Sequence, residues 1–99
     1  MSQAIETAIR VSVRIPTVLR KFTDNQAEVA VEGGSVLKAV RDLTNRYGSL
    51  ESHLFDASGA LRSFVNLYVN DEDVRYLNGN ETVLKDGDQL AIIPAVAGG

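Results

Sequence analysis

The sequence predicts an α+β domain, a mixed β-sheet packed against one main α-helix and followed by a flexible C-terminal tail. Two observations carry this. Apolar residues recur with period two towards both ends of the chain, and with the helical period once, between Ser35 and Gly48. One amphipathic helix cannot bury its apolar face alone, and a sheet offers the complementary surface. The length of 99 residues fits a single domain with one core.

Ile9, Val11, Val13 and Ile15 alternate with Arg10, Ser12 and Arg14, which predicts a strand with one buried face, ended by Pro16. A weaker alternation sets Val29 and Val31 against Glu28 and Glu32, and Gly33-Gly34 closes it as a turn. A short polar connection between these strands predicts a hairpin. Ser35 is the expected N-cap of the helix. Val36, Leu37, Val40, Leu43 and Tyr47 share one helical face, with Lys38, Arg41, Asp42 and Asn45 on the other. Gly48 is placed to end it as the C′ residue. Ser49 to Ser63 reads as a loop with a short helical turn, anchored by Leu50, Leu54, Phe55 and Leu61.

Alternation returns from Phe64 to Asn70, with Val65, Leu67 and Val69 opposite Asn66, Tyr68 and Asn70. Asn70-Asp71-Glu72-Asp73 predicts a polar turn into a short strand from Val74 to Tyr76. Asn78-Gly79-Asn80 is a further turn, and Val83 and Leu84 are expected to pack beneath the domain. Asp86-Gly87-Asp88 turns into a last strand, Gln89 to Ile93, and Pro94 marks where pairing should stop because it lacks a backbone donor. The domain reading is therefore a mobile N-terminal extension at 1–7, a folded body at 8–93 and a tail at 94–99.

Composition narrows the function classes. Without cysteine, the chain has no disulfide, thiolate metal site or cysteine nucleophile. A net charge of −3 with scattered basic residues argues against nucleic-acid binding. No apolar run approaches the roughly 18–20 residues a bilayer requires. Met1 to Glu6 lacks the basic start and apolar stretch of a signal peptide, so a cytoplasmic location is expected. His53 is the sole histidine and has no evident acid–base partner. Asp71-Glu72-Asp73 lacks the spacing of a calcium loop and reads as a solvated turn. No catalytic or metal-ligating constellation is expected.

The tail, Pro94-Ala95-Val96-Ala97-Gly98-Gly99, is built to be handled by another protein. Small side chains keep it slim, and six extended residues reach about 20 Å at 3.3–3.6 Å each. The carboxylate of Gly99 is a reactive group, and Gly98-Gly99 lets an enzyme close on bare backbone.

The Asp86-Gly87-Asp88 turn, a short apolar strand and the Pro94 to Gly99 ending resemble the MoaD/ThiS family of sulfur carriers, which have the ubiquitin-like β-grasp fold. Phe64 to Arg75 and the Ala-Val-Ala-Gly-Gly ending are most similar to its CysO-like branch. The resemblance implies that a ubiquitin-activating-type (MoeB/ThiF-like) adenylyltransferase activates Gly99, and that sulfide or an enzyme persulfide then yields a terminal thiocarboxylate. It further implies sulfur donation in biosynthesis, in the CysO-like case to an aminoacrylate on a pyridoxal-phosphate (PLP) cysteine synthase, with a metallopeptidase releasing cysteine. ATP, zinc and PLP would belong to those partners, and this chain would be neither an enzyme nor a cofactor binder. Tyr68 and Arg75, with Arg10, Arg14 and Arg62, are candidate docking residues. Two alternatives share the activation step: a ubiquitin-like modifier joined to lysines through Gly99, and the small subunit of molybdopterin synthase.

Overall fold

The computed structural model describes residues 9–62 and 65–94, with the side chain of Pro94 outside the description. The extension at 1–7, Phe64, and Ala95 to Gly99 lie outside the described residues. Five strands form one sheet: β1 (Arg10–Arg14), β2 (Glu28–Glu32), β3 (Val65–Val69), β4 (Glu72–Asp73) and β5 (Gln89–Pro94). Their spatial order is β2-β1-β5-β3-β4. β1 and β5 are parallel, and every other adjacent pair is antiparallel, so the sheet is mixed as expected.

The helix α1 (Val36–Arg46) covers one face. The hydroxyl of Ser35 accepts a hydrogen bond from the backbone N–H of Lys38 at 3.3 Å, so the expected N-cap forms. Val36, Ala39, Val40 and Leu43 are fully buried with Val11, Val13, Val31, Leu67, Leu90 and Ile92 in the core. Each fully buried Val, Leu or Ile contributes about 1.5–3 kcal/mol, so the helix is held by packing rather than by intrinsic propensity. Tyr47 is the C-cap and is half-buried against the core. Gly48 follows as C′ and starts a 3₁₀ turn, Gly48–Leu50, which leads into α2 (Glu51–Leu54).

The carboxylate of Asp42 ties α1 to the sheet edge. Its Oδ2 accepts both the Glu32 backbone N–H and Arg46 Nε, each at 2.9 Å. This occupies an outward-facing donor of edge strand β2, a group that would otherwise invite unwanted strand pairing. Gly33 lets the chain pass closely over the start of α1. A Cβ there would lie 2.5 Å from the Ala39 backbone nitrogen.

Four sequence expectations need correction. The β1–β2 connection is neither short nor wholly polar: Thr17–Phe22 coils as a 3₁₀ turn, and its Leu19 is buried. The expected strand from Val74 to Tyr76 is a 3₁₀ turn, because Asp73 Oδ1 takes the Arg75 N–H at 2.9 Å and removes it from any ladder. Strand pairing is confined to Glu72–Asp73, across a tight turn in which Asn70 and Asp71 both have positive φ. Leu84 packs in the core, but Val83 is 72% exposed. The segment is extended there, bridging to Ser35 at Val83, so Thr82 and Leu84 turn inward and Val83 outward. Finally, Pro94 is the last paired position of β5, opposite Val65, rather than the first residue beyond the sheet.

The loop at 49–63 keeps its expected anchors. Leu50, Leu54 and Phe55 are buried, Leu61 is half-buried, and Phe55 bridges to Leu61. Arg41 straps it down, its guanidinium 3.9 Å from the Phe55 ring centroid and 2.8 Å from the Gly59 carbonyl oxygen.

The Gly33 contact gives a direct test. Gly33→Ala forces a methyl against backbone that cannot rotate away, and overpacking of this kind costs about 1–3 kcal/mol. Thermal unfolding of the variant should occur roughly 4–24 °C below the parent, at about 4–8 °C per kcal/mol for a domain of this size.

Candidate functional site: the tail root and the open sheet face

β5 is an interior strand, flanked by β1 and β3, and it leads straight into Ala95. The Asp86-Gly87-Asp88 turn fixes where it starts. Gly87 has φ +92°, a left-handed conformation that explains glycine at this position. On one side, Asp86 Oδ1 accepts the Arg10 N–H at 2.9 Å, and the Gly87 N–H donates to the Arg10 carbonyl at 2.8 Å. On the other, Asn70 donates through Nδ2 to Asp88 Oδ1 at 3.0 Å and accepts the Gln89 N–H at 3.0 Å. The turn is therefore clamped to β1 and to the β3–β4 hairpin at once.

The sheet face opposite α1 is open. Register places Arg14, Ala91 and Tyr68 side by side across β1, β5 and β3, and Ile93 beside Asn66. A shallow groove of about 540 Å³ follows this row, bounded by Arg14, Pro16, Arg20, Tyr68, Asp71 and Ile93. Ile93 is 46% exposed and immediately precedes Pro94. Tyr68 lies on this outward face, as its place in the alternation predicts, and is half-buried among its neighbours.

Arg75 is placed elsewhere. Its guanidinium grips Asp73, with Nη2 to Oδ2 at 2.6 Å and Nε to both carboxylate oxygens at 3.1 and 3.2 Å. Arg10 faces Glu32 at 3.9 Å, and Arg62 Nε donates to the Ser52 carbonyl at 2.9 Å. Of the sequence candidates, only Tyr68 and Arg14 meet in the groove. Arg20, Pro16, Ala91 and Ile93 were missed as groove residues. A signal for two of them existed, since Leu90 to Ile93 is apolar on both phases of a strand whose sheet has a helix on one face only. Arg20 sits in an aperiodic turn and gave none. His53 stacks on Phe22, ring centroids 4.4 Å apart. Among the described residues no group of three His, Cys, Asp or Glu side chains could hold a metal ion, and no helix is long and apolar enough to cross a membrane.

The ThiS family pattern matches residues 13–99. The chain belongs to the ThiS family. It is 45% identical over 93 residues to the sulfur carrier protein CysO of Mycobacterium tuberculosis, covering 92% of this chain and 100% of that one. A chain in the crystal structure of the BexX/CysO complex from Amycolatopsis orientalis superposes with a TM-score of 0.81 at 45% identity, covering 90% of this chain and 99% of its own. Small archaeal modifier protein 1 from Methanosarcina acetivorans superposes at 0.83 with 30% identity, covering 95% and 100%. The fold is accordingly the ubiquitin-like β-grasp, and this ThiS-family member is a small CysO-like carrier protein rather than a catalyst.

The carboxylates that shape the body are held ionised. Arg75, through its side chain and then its backbone N–H, lowers the pKa of Asp73 below 3.8. The Lys85 N–H and the Asn70 amide do the same for Asp88. At Asp42, burial pushes upward most strongly, but the Glu32 N–H and Arg46 together outweigh it and the net direction is down. A folded pKa below the unfolded value means that the unfolded chain binds more protons as pH falls. Stability from these groups is complete above about pH 5 and is lost as pH falls through the folded values. Melting temperatures should be flat from pH 7 to 5 and fall from pH 4 to 2, and Asp73→Asn should lower the pH 7 value while flattening the acid limb.

Proposed function

We propose that this ThiS-family chain is a sulfur carrier whose Gly99 carboxylate is adenylated by an ATP-dependent, ubiquitin-activating-type enzyme and converted to a thiocarboxylate. The observation that carries this is full-length similarity to a CysO sulfur carrier, in a chain whose own sequence ends Ala97-Gly98-Gly99. The chemistry requires the activation step. A carboxylate cannot expel oxide, whereas its mixed anhydride with AMP loses AMP to sulfide and gives the thiocarboxylate directly, or loses AMP to an enzyme persulfide and gives an acyl disulfide that a second enzyme thiol cleaves, leaving the thiocarboxylate and an enzyme disulfide. The resulting terminal thiocarboxylate is a soft nucleophile that donates its sulfur to a small-molecule acceptor, and the similarity to CysO favours cysteine biosynthesis. A PLP enzyme would then supply the electrophile and a metallopeptidase would free the product, with ATP, PLP and zinc residing on those partners.

The body's contribution is delivery. β5 pairs with β1 as far as Ala91 and with β3 as far as Pro94, so Ala95 to Gly99 start from a fixed root. In this reading Ala95, Val96, Ala97 and Gly98 enter the partner's active-site channel while the open face bearing Tyr68 docks outside it. The complex with BexX is that of the Amycolatopsis orientalis protein, and it supports docking of a protein partner here. Arg75 contributes less to docking than Tyr68, because its guanidinium is committed to Asp73.

A second reading, conjugation of Gly99 to lysines, is favoured by the 30% identity to an archaeal modifier protein. Activation is common to both fates, so the product distinguishes them. Intact-mass analysis of protein from its own cells under sulfur demand should show one oxygen-for-sulfur exchange at the C-terminus, or an added cysteine. A reductant-resistant ladder of high-mass conjugates would instead support the modifier. Gly98→Leu should abolish thiocarboxylate formation with no change in melting temperature. Tyr68→Ala should raise the KM for the chain in the activating enzyme's reaction by about tenfold, the loss expected for truncating an interface aromatic worth roughly 1–2 kcal/mol, and Arg75→Ala should leave it near the parent value.

A further inference from the structure

Asn78-Gly79 is the one asparagine–glycine step in the sequence; every other asparagine precedes a larger residue. Such a step can close on itself. The backbone nitrogen of Gly79, with no side chain of its own to hinder it, attacks Cγ of the Asn78 carboxamide. The N–H proton passes to water, the Cγ–Nδ2 bond breaks, ammonia leaves, and a five-membered succinimide remains. Water then opens the ring at either carbonyl and leaves aspartate or isoaspartate, so one water is consumed for each ammonia released. The groups involved are accessible. Asn78 is exposed, and a Cβ on Gly79 would meet nothing within 4 Å apart from its chain neighbours. Among the described residues, neither the Asn78 carboxamide nor the Gly79 N–H makes a hydrogen bond.

The fold holds the reacting atoms apart. Asn78 has ψ 27°, which sets the Gly79 nitrogen nearly trans to Cβ across the Cα–C bond. Ring closure needs that nitrogen on the same side as Cβ, within contact of Cγ. Reaching that geometry means swinging the peptide plane between the two residues, and both ends of the step are tied down. The Asn78 N–H donates to Thr82 Oγ1 at 3.0 Å, and the same hydroxyl donates to the Gly79 carbonyl at 2.7 Å. The Glu81 and Thr82 N–H groups donate to the Asn78 and Gly79 carbonyls, each at 3.1 Å. Thr82 is itself anchored: it is 7% exposed, and its carbonyl accepts the Val36 N–H of α1 at 3.0 Å.

We propose that Asn78 is a site of spontaneous deamidation whose rate is set by the Thr82 hydroxyl, which clamps the step in an unreactive geometry. The clamp gives a buried polar side chain, idle in the carrier reading, a task of its own. Both products add one negative charge to a turn that lines a small cavity with Asp73 and Arg75. Isoaspartate also lengthens the backbone between residues 78 and 79, so the bonds to Thr82 can no longer both form. The site is independent of the fate of Gly99.

The test ages the intact chain at mildly alkaline pH as wild type, Thr82→Val and Thr82→Ser, each with and without denaturing urea. Thermal melts establish which samples are folded. Peptide mapping by mass spectrometry counts aspartate and isoaspartate at position 78, with the exposed Asn80 as the internal control. In denaturing urea the three chains should react at one rate. Folded wild type and Thr82→Ser should react about tenfold more slowly, and folded Thr82→Val should lose most of that protection, because two hydrogen bonds leave with the hydroxyl. Urea below the unfolding transition separates the clamp from the fold as a whole. Opening one turn exposes little surface, so the wild-type rate at Asn78 should stay flat there. That arm needs wild type alone and decides the proposal even if Thr82→Val does not fold. A folded wild type that reacts as fast as the unfolded chain overturns the proposal. So does a folded Thr82→Val no faster than wild type, or a wild-type rate that climbs with urea in step with global unfolding.

Discussion

The pairing of the first strand with the last is the constraint on which the rest of the structure depends. β1 and β5 lie parallel at the middle of the sheet, joined in register at Ser12–Gln89, Val13–Leu90 and Arg14–Ala91. Parallel neighbours need a long crossover, and here nearly the whole chain supplies it, including α1. Because that crossover carries the helix across one face, Val13 and Leu90 can be buried beneath Val36, Val40 and Leu43. The same pairing makes β5 an interior strand. The segment that follows it leaves from an interior strand rather than from an edge strand.

Under the proposed function, that arrangement separates two competing tasks. A reactive group must reach into a partner, which favours a slim and unencumbered chain. Its point of departure must be fixed, or the entropy of placing it weakens every encounter. Pairing with β3 as far as Pro94, behind a stretch held by β1 and β3 together, fixes the departure point, and small residues beyond Pro94 keep the extension slim. The Asp86-Gly87-Asp88 turn belongs to the same device. By bonding to Arg10 on one side and Asn70 on the other, it sets the register of β5 from below.

The two faces of the sheet divide the remaining work. One is sealed by α1 and contributes packing energy. The other leaves Tyr68, Ala91 and Ile93 uncovered beside Arg14 and Arg20. This apolar strip beside charged residues is the surface the proposed function uses for docking. Under the proposed function, its continuity with Pro94 links docking to delivery. Full-length similarity to a sulfur carrier protein CysO and to an archaeal modifier protein supports the proposed carrier role.

The elements themselves were legible in the sequence because they obey local rules. Side chains alternate along β1 and β3 and recur every three to four residues in α1, whatever the remainder of the chain does. The cap at Ser35 and the turns at Gly87 and Asn70 are likewise local, set by sterics and short-range hydrogen bonds. The diglycine ending and its small-residue approach could be read directly, as could the family they resemble. What only the tertiary structure decided was non-local. Register made Pro94 a paired residue, and a bridge to Ser35 turned Val83 outward. The surroundings of Arg14 were decided in the same way, since Tyr68 and Asp71 reach its groove from the other side of the sheet. Periodicity says which way a residue faces within its own element. Which charges meet depends on contacts between segments far apart in the chain, and those exist only once the sheet has closed around β5.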